Sequence, residues 1–217
     1  MQRYDRPRRI LAYSIAGLAG FVDATGYLAA DRYFVSFMSG NTTRLGVDIV
    51  TNTLRAYVPA FLILGFVIAV ACGALIADIA GNFRKAAVTG ASATLIGVGA
   101  IAHSIGSTTI FVGCLLFAMG VLNNAYRRDG EVSVAVTYMT GALVRFGQGI
   151  AAWLQGRTLP GWAANAALWF SLATGAVCGT LASINMPSFA AWLAAILAAC
   201  LFLGALWVER TIPAQST

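Results

Sequence analysis

Phe34-Val35-Ser36-Phe37-Met38-Ser39-Gly40-Asn41-Thr42-Thr43-Arg44-Leu45-Gly46 has an echo 101 residues downstream, Ala135-Val136-Thr137-Tyr138-Met139-Thr140-Gly141-Ala142-Leu143-Val144-Arg145-Phe146-Gly147. Over the sixteen aligned positions 34–49 and 135–150, six are identical and four more are close. The same offset sets Asp23-Ala24 against Asn124-Ala125 and Pro59 against Pro160. Apolar stretches resemble one another by composition alone, but chance seldom aligns glycine, arginine and proline together. The chain therefore reads as a single membrane domain, 1–217, made of a first repeat over 10–105 and a second over 109–207.

The surroundings of both motifs place them in a bilayer. Of 217 residues 59% are apolar and 10% charged, and the mean hydropathy is +0.78. Soluble domains run about 45–50% apolar and about 25% charged, so too few charges are present to cover a folded surface in water. Runs near 20 residues, enough to cross about 30 Å of hydrocarbon, occur at 10–29, 57–79, 86–105, 109–126, 162–184 and 188–207. The motifs occupy two apolar but interrupted stretches, 33–52 and 132–154, each holding an arginine, glycines and hydroxyls. Neither reads as a plain lipid-facing helix.

The basic residues choose between six and eight crossings. With six, and both ends cytoplasmic, Arg3, Arg6, Arg8, Arg9, Arg84, Lys85, Arg127, Arg128, Arg157 and Arg210 fall inside, while Arg32 and Arg55 fall outside. With eight, Arg84, Lys85, Arg127 and Arg128 move outside, against the positive-inside rule. The expected architecture is an all-α polytopic protein of the bacterial inner membrane, with about six transmembrane helices and two re-entrant or broken elements. A signal peptide is the rival reading of the N-terminus, since Leu28-Ala29-Ala30 resembles a cleavage site. The length of the run from Ile10 to Ala29 and the presence of Asp23 argue for a retained span.

Three crossings per half make the second repeat enter from the opposite face. Inverted repeats with a midplane site at interrupted helices are the signature of alternating-access transporters; channels share that symmetry, so carrier or channel, coupling ion and direction stay open.

The candidate substrate-binding residues are Arg44, Arg145, Asp23, Ser39, Gly40, Asn41, Thr42, Thr43, Asn124, Thr140 and Gly141. An arginine facing lipid costs several kcal/mol, so Arg44 and Arg145 either share a polar cavity or snorkel to an interface. In Ser39–Thr43 glycine permits a break, while the hydroxyls and amide satisfy freed backbone groups or cap a new half-helix. A half-helix N-terminus and two guanidiniums favour a small anion. Asp23 pairs with Arg44 or takes up a proton during the cycle; its counterpart Asn124 is neutral. Tyr57, Trp162 and Trp207 read as interfacial anchors, and Gly175-xxx-Gly179 as a close helix approach.

Other classes find little footing. No basic face is interleaved with stacking aromatics, so nucleic acid is not an expected partner. Cys72, Cys114, Cys178 and Cys200 sit singly in apolar runs and His103 is the only histidine, so neither metal nor cofactor is expected. His-Glu-x-x-His, Gly-x-Ser-x-Gly and phosphate-loop motifs are absent, and no enzyme is expected. A lipid-modifying activity run by Asp23 and arginines, and a non-transporting scaffold or sensor, stand as alternatives. The expected partners are the lipid bilayer, a small solute, and a second copy in a homodimer, because six spans enclose little volume.

Gly20-Phe21-Val22-Asp23-Ala24-Thr25-Gly26-Tyr27, then Phe34–Thr42 and Thr137-Tyr138-Met139-Thr140-Gly141, resemble the YoaK family of bacterial inner-membrane proteins of unknown function over nearly the whole chain. That resemblance implies six spans and no established substrate, cofactor or reaction. Relatives commonly carry a more apolar stretch after Gly-Asn-Thr, whereas here Arg44 and Asp48 interrupt it.

Overall fold

A computed structural model describes residues 5–128, 131–132 and 139–211. Arg3 and Val136-Thr137-Tyr138 of the second motif lie outside the described residues. The elements are α1 (Arg6–Ala29), α2 (Met38–Thr51), α3 (Tyr57–Ala80), α4 (Arg84–Ser104), α5 (Thr108–Leu122), α6 (Met139–Leu154), α7 (Trp162–Asn185) and α8 (Pro187–Thr211). A 3-10 turn, Gly81–Phe83, joins α3 to α4, and the two-residue strands β1 (Arg127–Arg128) and β2 (Glu131–Val132) pair antiparallel.

Stretches 6–29, 57–104, 162–185 and 187–211 are long and apolar enough to cross a membrane; the second holds both α3 and α4, and α5 is a shorter apolar helix. The expected run 109–126 is an α-helix to Leu122, after which the N–H groups of Asn124 and Ala125 bond the carbonyls three residues back, of Val121 and Leu122, in a tighter turn. The interrupted stretches hold α2 and α6, 14 and 16 residues long, about 21 and 24 Å at 1.5 Å per residue. Pro7 starts α1 in its first turn, where its missing N–H costs nothing, and Gly81, at φ +53°, stops α3.

The core lies around α1, whose Leu11, Ile15, Leu18 and Val22 pack with Phe111, Leu115 and Met119 of α5 and with the alanines of α8. Elsewhere large apolar side chains are exposed, among them Phe61, Leu64, Val67, Leu75 and Ile79 on α3. Such a face is what hydrocarbon solvates and water does not.

Helix directions follow from residue pairs. Along α1 and α7, Gly17 meets Gly175, Phe21 meets Gly179, and Thr25 meets Ser183, so the two run the same way. Along α3 and α5, Gly65 meets Leu116, Ala69 meets Gly120 and Gly73 meets Val121, again the same way. α4 and α8 run oppositely, with Lys85 against Glu209 and Ser104 against Trp192. So do α4 and α5, with Ser92 against Ala118 and Gly99 against Cys114. α1 and α5 are also opposed: Gly26 faces Leu115, and Tyr126 donates its hydroxyl to the Arg8 carbonyl at 2.7 Å. The close approach foreseen at Gly175 and Gly179 is this α1–α7 seam, where a Cβ on either glycine would overlap α1 backbone.

Candidate functional site

Beyond Ala29 the chain reverses through Asp31 and Arg32, both left-handed at φ +45° and +65°. Tyr33, Val35 and Ser36 are then buried. The reversal lays the segment back along the last turns of α1, and Val35 packs on Gly26, where a Cβ would overlap its methyls. Asp23, about 9 Å below the end of α1 at 1.5 Å per residue, accepts the N–H of Val35 at 3.1 Å and of Ser36 at 2.9 Å, both on Oδ1. A carboxylate thus satisfies two backbone donors that no helix or sheet supplies with partners.

α2 starts where the sequence places a half-helix, at Met38 after the N-cap Phe37, but no side chain caps it. The Thr42 and Thr43 hydroxyls donate backward to the Met38 and Ser39 carbonyls, and Ser39 is exposed. The freed backbone is met by Asn41, whose fully buried amide accepts the Phe34 N–H and donates to the Phe34 carbonyl. Gly40 serves close packing: a Cβ there would strike the Phe34 and Phe37 rings, which meet edge to face at 5.2 Å.

The expected Asp23–Arg44 pair does not form among the described residues. Arg44 is drawn outward, donating to the Arg32 carbonyl at 3.0 Å and lying over the Tyr33 ring at 4.4 Å, a cation–π contact. Asp48 takes the Tyr33 hydroxyl at 2.7 Å. Burial first, and then the Asp48 carboxylate, push the Tyr33 phenol above its ordinary value, against the opposing pull of Arg44.

The other half of the expected set lies elsewhere. Arg145 and Thr140 are exposed on α6, Gly141 is half-buried, and α6 is held to α7 by Phe146 stacked on Trp162 at 5.8 Å. Trp162 is therefore a packing residue of α6 as well as a ring near a span end. α2 packs on α3 and α6 on α7, and α2 and α6 do not touch. Asn124 is buried at the α3–α5 crossing, where it donates to the Val70 carbonyl at 3.1 Å. The structure brings Asp23, Gly40, Asn41 and Arg44 into one cluster and leaves Arg145, Thr140, Gly141 and Asn124 apart from it.

Sequence reasoning missed a second charged cluster. Glu209 on α8 accepts the N–H of Lys85 at 2.7 Å and of Ala86 at 2.9 Å, capping α4, and lies 3.7 Å from the Lys85 ammonium. Lys85 also sits 5.8 Å from the Tyr126 ring centroid. The available signal was that the chain's only lysine and a lone glutamate close two apolar runs on the same side.

No solved structure matches this chain. It is 31% identical over 201 residues to the UPF0700 transmembrane protein RA0705 of Rhizobium meliloti (strain 1021), covering 92% of this chain and 87% of that protein. This similarity and the apolar helices agree in making the chain a transmembrane protein. Residues 11–204 match the model of a family described as protein of unknown function DUF1275, and the chain belongs to that family.

Proposed function

We propose that the chain is a bacterial inner-membrane transporter or channel-like carrier for a small solute, anionic by preference, built from two inverted repeats. The observation that carries this is the crosswise packing of the halves. Under the 101-residue offset α1, α2, α3 and α4 correspond to α5, α6, α7 and α8. Each helix pair in contact then has a counterpart in contact: α1–α7 with α5–α3, α4–α5 with α8–α1, α2–α3 with α6–α7. The directions support six crossings. If α2 and α6 also crossed, α4 and α8 would run the same way, and so would α1 and α5; both pairs are antiparallel. The basic residues then put both ends on the cytoplasmic side.

In this reading α2 and α6 dip from opposite faces, so Arg44 and Arg145 stand one at each mouth rather than in one cage. An anion meets a guanidinium on entry and on exit, and the segments around Ser39–Thr43 and Thr140–Gly141 line its way. No catalytic step is assigned. The functional unit is a homodimer, since one such bundle encloses little volume.

The test is a thermal-shift screen of small inorganic and carboxylate anions on the detergent-solubilised chain, followed by flux of the stabilising anion into proteoliposomes. A ligand of the folded state raises its apparent stability. Flux that falls with Arg145→Gln supports the reading. No flux of any anion in folded, reconstituted protein overturns it.

A further inference from the structure

We propose that Asp23 is a proton-binding site, and that its protonation releases the Val35–Ser36 segment from α1. The transport reading gives this its purpose, as the coupling step of a proton-linked cycle. Asp23 lies within an apolar span, and an ionised group there requires a partner. Among the described residues no cation lies within ion-pair distance of it. Its partners are the backbone N–H groups of Val35 and Ser36, both on a single oxygen, and the Ser36 hydroxyl, and all belong to an irregular segment held by no helical or strand ladder.

Hydrogen bonds to a carboxylate are roughly twice as strong as those to a neutral acceptor, so gaining a proton weakens these contacts at once. What they hold is connected onward. Phe34, next to Val35, is bound by Asn41 of α2 and packed between the rings of Tyr27 and Phe37. Release of 35–36 therefore frees the point from which α2 starts. At the corresponding position of the other half, Asn124 is buried and donates across a helix crossing; an amide cannot titrate there, so one proton is carried per chain.

Neighbouring groups do not compete for this role. α7 carries no charged residue and Cys178 as its only titratable side chain; α5 likewise carries only Cys114. Tyr27 is the nearest titratable neighbour on α1. In α8 the charged residues are Glu209 and Arg210, at the end beside Lys85. The returning segment and α2 bring Asp31, Arg32, Tyr33, Arg44 and Asp48, and of these Tyr33, Arg44 and Asp48 are engaged with one another.

The experiment is amide hydrogen exchange of the full chain in lipid nanodiscs at pH 8 and pH 5, corrected for intrinsic rates, in the native protein and in Asp23→Asn. The expected result is exchange at Val35 and Ser36 about tenfold faster at pH 5 than at pH 8, with α1–α7 amides unchanged. In Asp23→Asn the fast rate appears at both pH values. Protection that ignores pH in the native chain overturns the proposal, and that arm needs no variant to fold. A pH response surviving in Asp23→Asn overturns it as well, by assigning the titration to another group. Anion flux plays no part in these readings: failure of transport with pH-dependent release intact removes the transport reading alone.

Discussion

Asn41 binds both backbone groups of Phe34, accepting its N–H at 2.9 Å and donating to its carbonyl at 2.7 Å. One side chain thereby satisfies a residue that has left α1 and not yet entered α2. Each such group left buried and unpaired costs about 1–3 kcal/mol. Asn41→Ala is expected to lower stability by about 2–4 kcal/mol, read as a fall in the thermal unfolding midpoint in detergent. Asn41→Asp should be nearly as damaging, because a carboxylate accepts the N–H but faces the Phe34 carbonyl without a proton. If Asn41→Asp equals the native chain, the clamp is not what holds this turn.

The α1–α7 seam gives a steric prediction with an internal control. A Cβ on Gly175 would overlap the backbone of Gly17, whereas a Cβ on Gly97 in α4 meets nothing within 4 Å. Forcing atoms into a packed crossing costs about 1–3 kcal/mol or more. Gly175→Ala should show that loss, and Gly97→Ala should shift stability by less than about 1 kcal/mol, upward, through helix propensity. Equal thermal midpoints for the two variants would mean the helices are further apart than described.

The helices were legible because an apolar run long enough to span hydrocarbon has few other fates: the run at 162–184 is α7 and that at 57–79 is α3. The motif at 34–44 was legible as an interruption, and Asn41 fulfils the role expected of its amide. Partner choice was not legible. Asp23 and Arg44 are opposite charges in adjacent elements, and their pairing depends on how far the chain after α1 returns toward Asp23. The left-handed pair Asp31 and Arg32, of which aspartate favours that conformation more than most residues and arginine does not, sets this return. Once Val35 and Ser36 reach the carboxylate, Arg44 is left beside Tyr33. Gly40 shows the same limit from another side, since a glycine needed for ring packing reads in sequence like one needed for a bend.

Glu209 couples the last helix to the start of α4, and its loss should be felt there. Its carboxylate caps the Lys85 and Ala86 N–H groups and is itself almost wholly buried. Replacing a helix cap costs about 0.5–2 kcal/mol, and Glu209→Ala also leaves the Lys85 ammonium without this carboxylate. A loss of about 2–3 kcal/mol is expected, with Glu209→Gln intermediate because its amide oxygen still accepts one N–H. Hydrogen exchange should localise the change to the first turn of α4; uniform destabilisation of every helix would refute a local cap.

The sidedness of α2 and α6 decides the architecture, and it can be measured without knowing any solute. Thr42 and Thr140 are both exposed near the starts of their helices, so a cysteine at either position should meet a water-soluble thiol reagent. The four natural cysteines, three of them exposed, are first replaced by serine or alanine. With six crossings, three lie between the two sites, so Thr42→Cys should label from outside intact cells and Thr140→Cys only after the membrane is opened. With eight crossings, four lie between them, and the two sites would share a side. Labelling from one common side would therefore remove the inverted relation of the halves and, with it, the assignment of Arg44 and Arg145 to opposite mouths. A detergent-solubilised control, in which both cysteines react, excludes simple burial as the reason for silence.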